Sequence, residues 1–587
     1  MMASDIRFIA PSIFKRFAKA TLLARSVSSG YDERETRAGA SAKSKRMSTE
    51  NIFDTAIVGG GHNGLVCACY LAKAGMRVVV LERRHIVGGA VCTEDDLIPG
   101  YKIDVGSSAH IMIHLTPVVR ELELEKFGLE YIECDPFAFA PLPDGKNAIY
   151  FWRDVEKTCD SIARISPVDA DNYRRFVREW TAINEGVFEA FMKPPTALNL
   201  GRHMIFRRTK EKTDPLEMTR KLFTSYGSLA RETFEHEGLR AALVWLAAQS
   251  GPPSTASATG DFLGWHAMIH KSGVKRPRGG SGALTQALAR CLEHHGGTVR
   301  LSAEVERIVV KEKRATAIEL ENGERIEARR IVSNAHVQTT FLKLIGAENL
   351  PDGLAKRVKN IRVGNGFGMI VRCAVSELPD YTAAPAMDGV ANGAARECHR
   401  GLQLLCPSLD YLDKAYADYL QNRPSENPAA LAMTFSAIDP TLAPAGRHTL
   451  FIWGQYYPYE LADEGKWDDI AEREADKLID VVTRYAPNVK DSVLDRFVQT
   501  PLDLERRLGL LRGNVMHVEM DFDQMFLFRP LPELAQYRTP IENLYLTGAS
   551  THPGGGVFAA SGRNTAHVVL ADARGSITKR LRRVFGK

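Results

Sequence analysis

Residues 58–65 read VGGGHNGL, with Gly59, Gly60, Gly61 and Gly64 surrounding His62 and Asn63. Glycine at this density serves a backbone that turns tightly and comes within hydrogen-bond reach of an anion. Gly59, Gly61 and Gly64 stand in the GxGxxG places. The first permits the turn, the second lets the backbone approach a pyrophosphate, and the third lets a helix pack closely on a strand. Glu82, followed by Arg83, stands where a carboxylate would accept ribose hydroxyls. A second doublet, Gly88 and Gly89 before Ala90, offers another backbone segment able to close on the same diphosphate. The chemistry these residues support is dinucleotide binding, with His62 held near the diphosphate rather than acting as a base.

The elements that must position them are legible nearby. FDTAIV reads as a short strand, LVCACYLAKAG as a helix that Gly75 stops, and MRVVVLE as a buried parallel strand ending in Glu82. Together they predict a βαβ unit with the glycines at its first turn. Further on, PRGGSGALTQALA leads through a helix into the strand of GGTVRLSAEVERIVVK. The alternating run RATAIELENGERIEARRIV has Asn322 and Gly323 at its centre and predicts a hairpin with a type I′ turn. NLYLTGASTHPGGGVFAASGRNTAHVVLA predicts a strand, a glycine turn and a small-residue helix.

Six of these stretches, IVGGGHNGLVCACYLAKAG, VLERR, VGGAVCTE, GGSGALTQAL, SNAH and GASTHPGGGVFAASGRNTA, resemble the phytoene desaturase/carotenoid isomerase-like and amine oxidase-like FAD-dependent oxidoreductases. The resemblance runs from about Phe53 to about Ala571 and implies FAD as cofactor. It implies an α/β fold: a discontinuous Rossmann-like FAD-binding domain with an antiparallel meander, plus an inserted α+β substrate domain. The FAD domain is expected at 51–155, 275–345 and 535–575, and the substrate domain at 156–274 and 346–534. In that family Val305 would contact the adenine end of FAD through its backbone. Gly548, Ala549, Gly556 and Val557 would close the flavin site, with a helix N-terminus near the pyrimidine end of the ring. Ala90 stands where many relatives carry arginine, so no ionic contact is expected there.

Catalytic residues are not legible. His552, in ASTHPGG, is the histidine expected to face the isoalloxazine, although a histidine beside a turn more often serves the backbone. Trp265, His266, Phe367, Trp453, Tyr456 and Tyr457 are candidates to line an apolar pocket, with core packing as the commoner role of such residues. A disulfide reductase needs a redox cysteine pair beside the flavin and a second dinucleotide fold. The nine cysteines contain no CxxC, Cys67 and Cys69 point to different faces of one helix, and no second GxGxxG is followed by an acidic strand end. Disulfide chemistry is therefore disfavoured, and no metal site is expected.

Composition agrees with a globular enzyme: 587 residues, 44% hydrophobic, 25% charged. The formal charge of +5 is concentrated at the two ends, which argues against a nucleic-acid-binding body. No apolar run is long enough for a spanning helix, which leaves room for peripheral membrane contact only. Residues 1–46 open with RFIAPSIFKRFAKATLLARS, Arg/Ser-rich, amphipathic and acid-poor, the pattern of a transit peptide; the other reading is a disordered extension ahead of Met47. The first reading places the protein in the mitochondrial matrix, the second in the cytoplasm. Residues 576–587 form a basic tail, expected to be a solvated helix end. The expected function is FAD-dependent oxidation of a small-molecule substrate in mitochondria. Two alternatives are a flavin-fold regulatory protein with a mitochondrial protein partner and little turnover, and an isoprenoid or carotenoid desaturase or isomerase.

Overall fold

A computed structural model of the chain describes residues 52–202, 214–384, 395–463 and 465–585. The leader 1–46 lies outside them.

The first strand, Thr55–Val58, is four buried residues, TAIV, whose branched side chains suit a parallel strand covered on both faces. It sits at the centre of a five-stranded sheet in the order Leu544–Leu546, Ile331–Ser333, Thr55–Val58, Val78–Leu81, Thr298–Arg300. Every pairing in this sheet is parallel. Helix His62–Lys73 follows the first strand, and Gly75, at φ +85°, ends it. Helices Gly282–His294 and Ala560–Phe585 pack against this first helix. The last of them runs on through the basic stretch expected as a tail; its side chains beyond 575 are outside the described residues.

The meander consists of Val305–Lys311, Arg314–Leu320 and Arg325–Glu327, all antiparallel. Its second connection differs from the type I′ turn expected at Asn322 and Gly323. The Gly323 N–H donates to Leu320 O at 2.9 Å, and Gly323 alone of the loop is left-handed, at φ +82°. Type I′ needs positive φ at both central residues; this is a type I turn followed by a left-handed glycine. The Asn322 side chain accepts from the Glu324 N–H at 3.0 Å, an Asx turn that holds Asn322 in ordinary backbone space.

A second sheet of seven strands runs Val493–Gln499, Gly366–Val375, His448–Pro458, Ala430–Met433, Leu402–Leu405, Ala138–Pro141, Ala148–Phe151. All its pairings are antiparallel except Leu402–Leu405 with Ala138–Pro141. The last two strands precede residue 156, so the second sheet begins ahead of the expected domain boundary. The longest strand, HTLFIWGQYYP, is rich in aromatic and branched residues, as strands are. Helix Pro167–Phe191 lies among the helices that accompany this sheet. It starts on Ser166, whose hydroxyl accepts from the Asp169 N–H at 3.3 Å, with proline in the first turn.

Candidate active site

The glycine loop is held from three sides. The Gly59 N–H donates to Leu81 O at 2.8 Å, and the Gly60 N–H donates to Glu82 Oε2 at 2.8 Å. The other oxygen, Glu82 Oε1, accepts from the Arg84 N–H at 2.9 Å, so two backbone amides pin the carboxylate beside the loop. The second doublet closes as expected: the Gly88 N–H donates to Gly60 O at 2.9 Å, and Gly61 bridges Gly88. A Cβ on Gly88, at φ +121°, would stand 2.3 Å from Val91 O. Gly64 does the packing task expected of it, since a Cβ there would meet Gly59 O at 2.4 Å.

Asn334, directly after the strand Ile331–Ser333, ties these pieces together. Its Nδ2 donates to Gly59 O at 3.2 Å, and a Cβ on Gly61 or Gly64 would lie 3.0 Å from that nitrogen. Its Oδ1 would be 2.8 Å from a Cβ on Gly548. On the other flank the Gly562 N–H donates to Asn63 Oδ1 at 3.3 Å, bringing the C-terminal helix against the first one.

These segments border a cavity of about 980 Å³, near the top of the ~300–1,000 Å³ range of ligand sites. Gly59, Gly61, His62 and Asn63 line it, as do Glu82 and Arg83, and Gly88, Gly89 and Ala90. Val305 and, from the C-terminal segment, Gly548, Ala549, Gly556 and Val557 complete the expected set on the wall. Gly60 and Gly64 stand behind that wall, in hydrogen bonding and packing.

The far half of the cavity is apolar, lined by Leu246, Ile370, Leu402, Leu431, Met433 and Leu504 among others. Of the aromatic candidates, Trp265, Phe367 and Trp453 line it. His266, Tyr456 and Tyr457 do not: all three are buried, Tyr456 donates to Pro252 O at 3.3 Å, and Tyr457 packs on Trp467. His552 takes the structural role rather than one facing the cavity. Its ring is fully buried off the cavity, edge-on to Phe191 with ring centres 5.7 Å apart, because helix Pro167–Phe191 ends against that turn. His517 lines the cavity instead, its Nδ1 within 3.1 Å of the Ser550 hydroxyl. Gln249 is a further wall residue that sequence reasoning does not single out. Gln249 Nε2 and Trp265 Nε1 are buried and have no hydrogen-bond partner among the described residues. The periodicity of EGLRAALVWLAAQS could have flagged Gln249 as the polar end of an otherwise apolar helix face.

The histidines about the cavity are neutral at physiological pH. Burial pulls His62 down to about 4, partly offset by the Gly556 backbone, and His336 to about 4, partly offset by its contact with His517 O. His517 is likewise pushed well below its ordinary value by burial and by the neighbouring His336. No cysteine lines the cavity, all nine are buried and free, and burial raises Cys92, near the doublet, to about 12.

The residues present fit FAD. No side chain caps the N-terminus of helix His62–Lys73, so its backbone amides face the loop available to a diphosphate. Gly556, at φ +93°, has nothing within 4 Å of where a Cβ would project, leaving an open cradle on the C-terminal side. Glu82 sits at the strand end suited to a ribose. No helix of the described residues is long and apolar enough to cross a membrane, and none of their His, Cys, Asp and Glu side chains form a group able to hold a metal.

Comparison with known proteins agrees with this geometry. The family described as flavin containing amine oxidoreductase matches residues 64–376. Pyridine nucleotide-disulfide oxidoreductase domain-containing protein 2 of Rattus norvegicus is 34% identical over 89% of this chain and 94% of its own length. A limonene dehydrogenase chain of Castellaniella defragrans is 28% identical over 90% of this chain and 96% of its own. The fold of cyclohexylamine oxidase from Brevibacterium oxydans superposes with a TM-score of 0.53 at 15% identity, covering 89% of this chain and 100% of that one. The chain belongs to the flavin-containing amine oxidoreductase family and is an FAD-dependent oxidoreductase of the amine oxidase and phytoene desaturase superfamily.

Proposed function

We propose that this enzyme oxidises a predominantly apolar small molecule at a C–H bond next to a double bond or heteroatom, and that it does so in mitochondria. The observation that carries the substrate class is the far half of the cavity: an apolar wall interrupted by two buried donors, Gln249 Nε2 and Trp265 Nε1, that lack acceptors. Buried donors left unpaired are costly, so a substrate bearing one acceptor in an apolar body recovers what a pure hydrocarbon would not. When bound, FAD supplies the hydride acceptor. The chain's own contribution is to seat the diphosphate on the glycine loop, exclude water with Leu246, Ile370, Leu431 and their neighbours, and orient the substrate from Gln249 and Trp265. The limonene dehydrogenase relative, named for an apolar molecule, and the amine-oxidising family description both support this class. The mitochondrial part rests on the Arg/Ser-rich, acid-poor composition of residues 1–31.

Anaerobic mixing of the flavin-loaded protein with a panel of apolar amines, alcohols and monoterpenes, and separately with NADPH, tests the reaction. Bleaching of the flavin bands by an apolar member is expected; bleaching by NADPH alone would overturn the reading. Gln249→Leu should keep its flavin and lose about tenfold in kcat/KM, the equivalent of one hydrogen bond of ~1.4 kcal/mol. Loss of organelle targeting on removal of residues 1–46, read by cell fractionation, is the expected result for the location.

A further inference from the structure

Next to the apolar half of the main cavity is a second one, of about 30 Å³, and Met433 and Phe451 border both. Its charged lining is lopsided: Lys102, Arg276 and Arg372 against the single carboxylate Asp104. That carboxylate is already engaged. Asp104 Oδ2 accepts from Arg276 Nη1 at 2.7 Å and from the Ser108 hydroxyl at 3.0 Å. Asp104 Oδ1 accepts from the Thr93 hydroxyl at 2.7 Å and the Ser281 N–H at 2.9 Å.

Arg372, on strand Gly366–Val375, is 3% exposed and forms no ion pair among the described residues. The only hydrogen bond of its side chain among the described residues is from Nη1 to the neutral Gln499 Oε1, at 2.7 Å. Arg372 Nε and Nη2, and Arg276 Nε, are buried without acceptors among the described residues. Phe451 lies 5.0 Å from the Arg372 guanidinium and Phe435 4.8 Å from that of Arg276; these rings ease burial of the cations and accept little. Burial lowers Arg372 to about 9, which still leaves it charged at neutral pH. Asp104 and Glu94 act on it through space, but each is already paired with another arginine, Asp104 with Arg276 and Glu94 with Arg84 and Arg507. A buried guanidinium with two idle donors and no carboxylate of its own is disfavoured unless something supplies one. Water would accept a hydrogen bond but brings no charge. At ~10–15 Å³ of such volume per water, the space takes about two waters, one halide or one carboxylate group, and is too small for phosphate or sulfate.

We infer that the cavity between Arg276 and Arg372 binds a small monovalent anion, supplied as a free halide or as the carboxylate end of a molecule whose apolar body lies beyond Phe451 and Met433. The second source rests on the apolar-substrate reading above. The test uses the full flavin-loaded chain exchanged into sodium sulfate, whose divalent anion is too large for the space and carries no carboxylate. Thermal unfolding is followed while sodium bromide, or separately sodium octanoate, is titrated in, and crystals soaked in bromide are measured for anomalous scattering. A saturable rise in Tm with bromide and a bromide peak beside Arg372 Nε establish the free halide. A rise with octanoate that also removes the bromide peak establishes the carboxylate. Either rise is expected to vanish in Arg372→Gln with the flavin spectrum unchanged. No saturable rise from either salt, an undiminished rise in Arg372→Gln, or a wild-type cavity holding only water overturns the inference. The wild-type bromide map decides even where Arg372→Gln fails to fold. Flavin bleaching is scored independently, so a failure here is distinguishable from a failure of the substrate reading.

Discussion

At Gly64 the dinucleotide loop depends on one distance: an added Cβ would lie 2.4 Å from the Gly59 carbonyl. Neither atom is the end of a flexible side chain, so the backbone itself must shift. Gly64→Ala is expected to cost about 1–3 kcal/mol, the usual range for overpacking, and to release FAD. Thermal unfolding and the flavin-to-protein absorbance ratio check this; an unchanged ratio would show that the loop tolerates the shift. The spacing of Gly59, Gly61, Gly64 and Glu82 is legible in the sequence because their interactions are local, Gly60 reaching Glu82 across 22 positions within one βαβ unit. Asn334, which binds the same loop from 275 positions away, is marked only by its place in the SNAH stretch, since nothing in its neighbours states which carbonyl it will reach. His552 misleads for a related reason. Its motif is a turn near the cofactor, as expected, but which way the ring points is decided by Phe191 and Phe526, residues on other elements.

Elements are predictable where their own residues determine them and misread where two solutions compete. The hairpin at Asn322 and Gly323 forms, yet with the Asn322 side chain capping the Glu324 amide the turn becomes type I plus a left-handed Gly323. Gly323→Ala should therefore cost about 1–2 kcal/mol, the strain of a left-handed non-glycine residue, while leaving flavin content intact because no residue of the turn itself lines the cavity. Denaturant unfolding with a flavin assay separates the two effects. Gly264 presents the opposite case. It lies at the end of helix Gly260–Gly264, and a Cβ there would stand 1.9 Å from the Trp180 ring of helix Pro167–Phe191. Gly264→Ala is expected to destabilise by roughly 1–3 kcal/mol and to perturb tryptophan fluorescence, since Trp180 must move. Nothing local to Gly264 announces that contact.

Across the whole molecule, burial of neutral histidines couples stability to pH. His62 and His336 are lowered to about 4, and His114, His266 and His552 to about 3, in each case chiefly by burial. Their unfolded value is near 6.5, so the unfolded chain binds more protons in between. Their contribution is therefore complete above about pH 6.5 and lost as pH falls from there towards about 4. Buried Asp261, raised to about 6, and Glu519, raised chiefly by burial, work in the opposite direction but are fewer than the histidines. A steady fall in Tm from pH 7 to pH 4.5 is expected in a thermal scan series; a flat profile would contradict the burial of these rings as neutral groups. By itself the sequence determined the cofactor loop and its βαβ frame, because turn glycines, strand runs and helix spacing act over short stretches, and the class of flavoprotein followed from the resemblance those stretches carry. Only the tertiary structure decided what faces the substrate and what stands behind it. Gln249, Trp265 and Arg372 come from separate elements, and the packing of the seven-stranded sheet against its helices places their polar atoms at a cavity wall rather than in a satisfied core. Burial, and with it the charge state of every histidine named here and the lack, among the described residues, of an ion pair at Arg372, is a property of that packing alone.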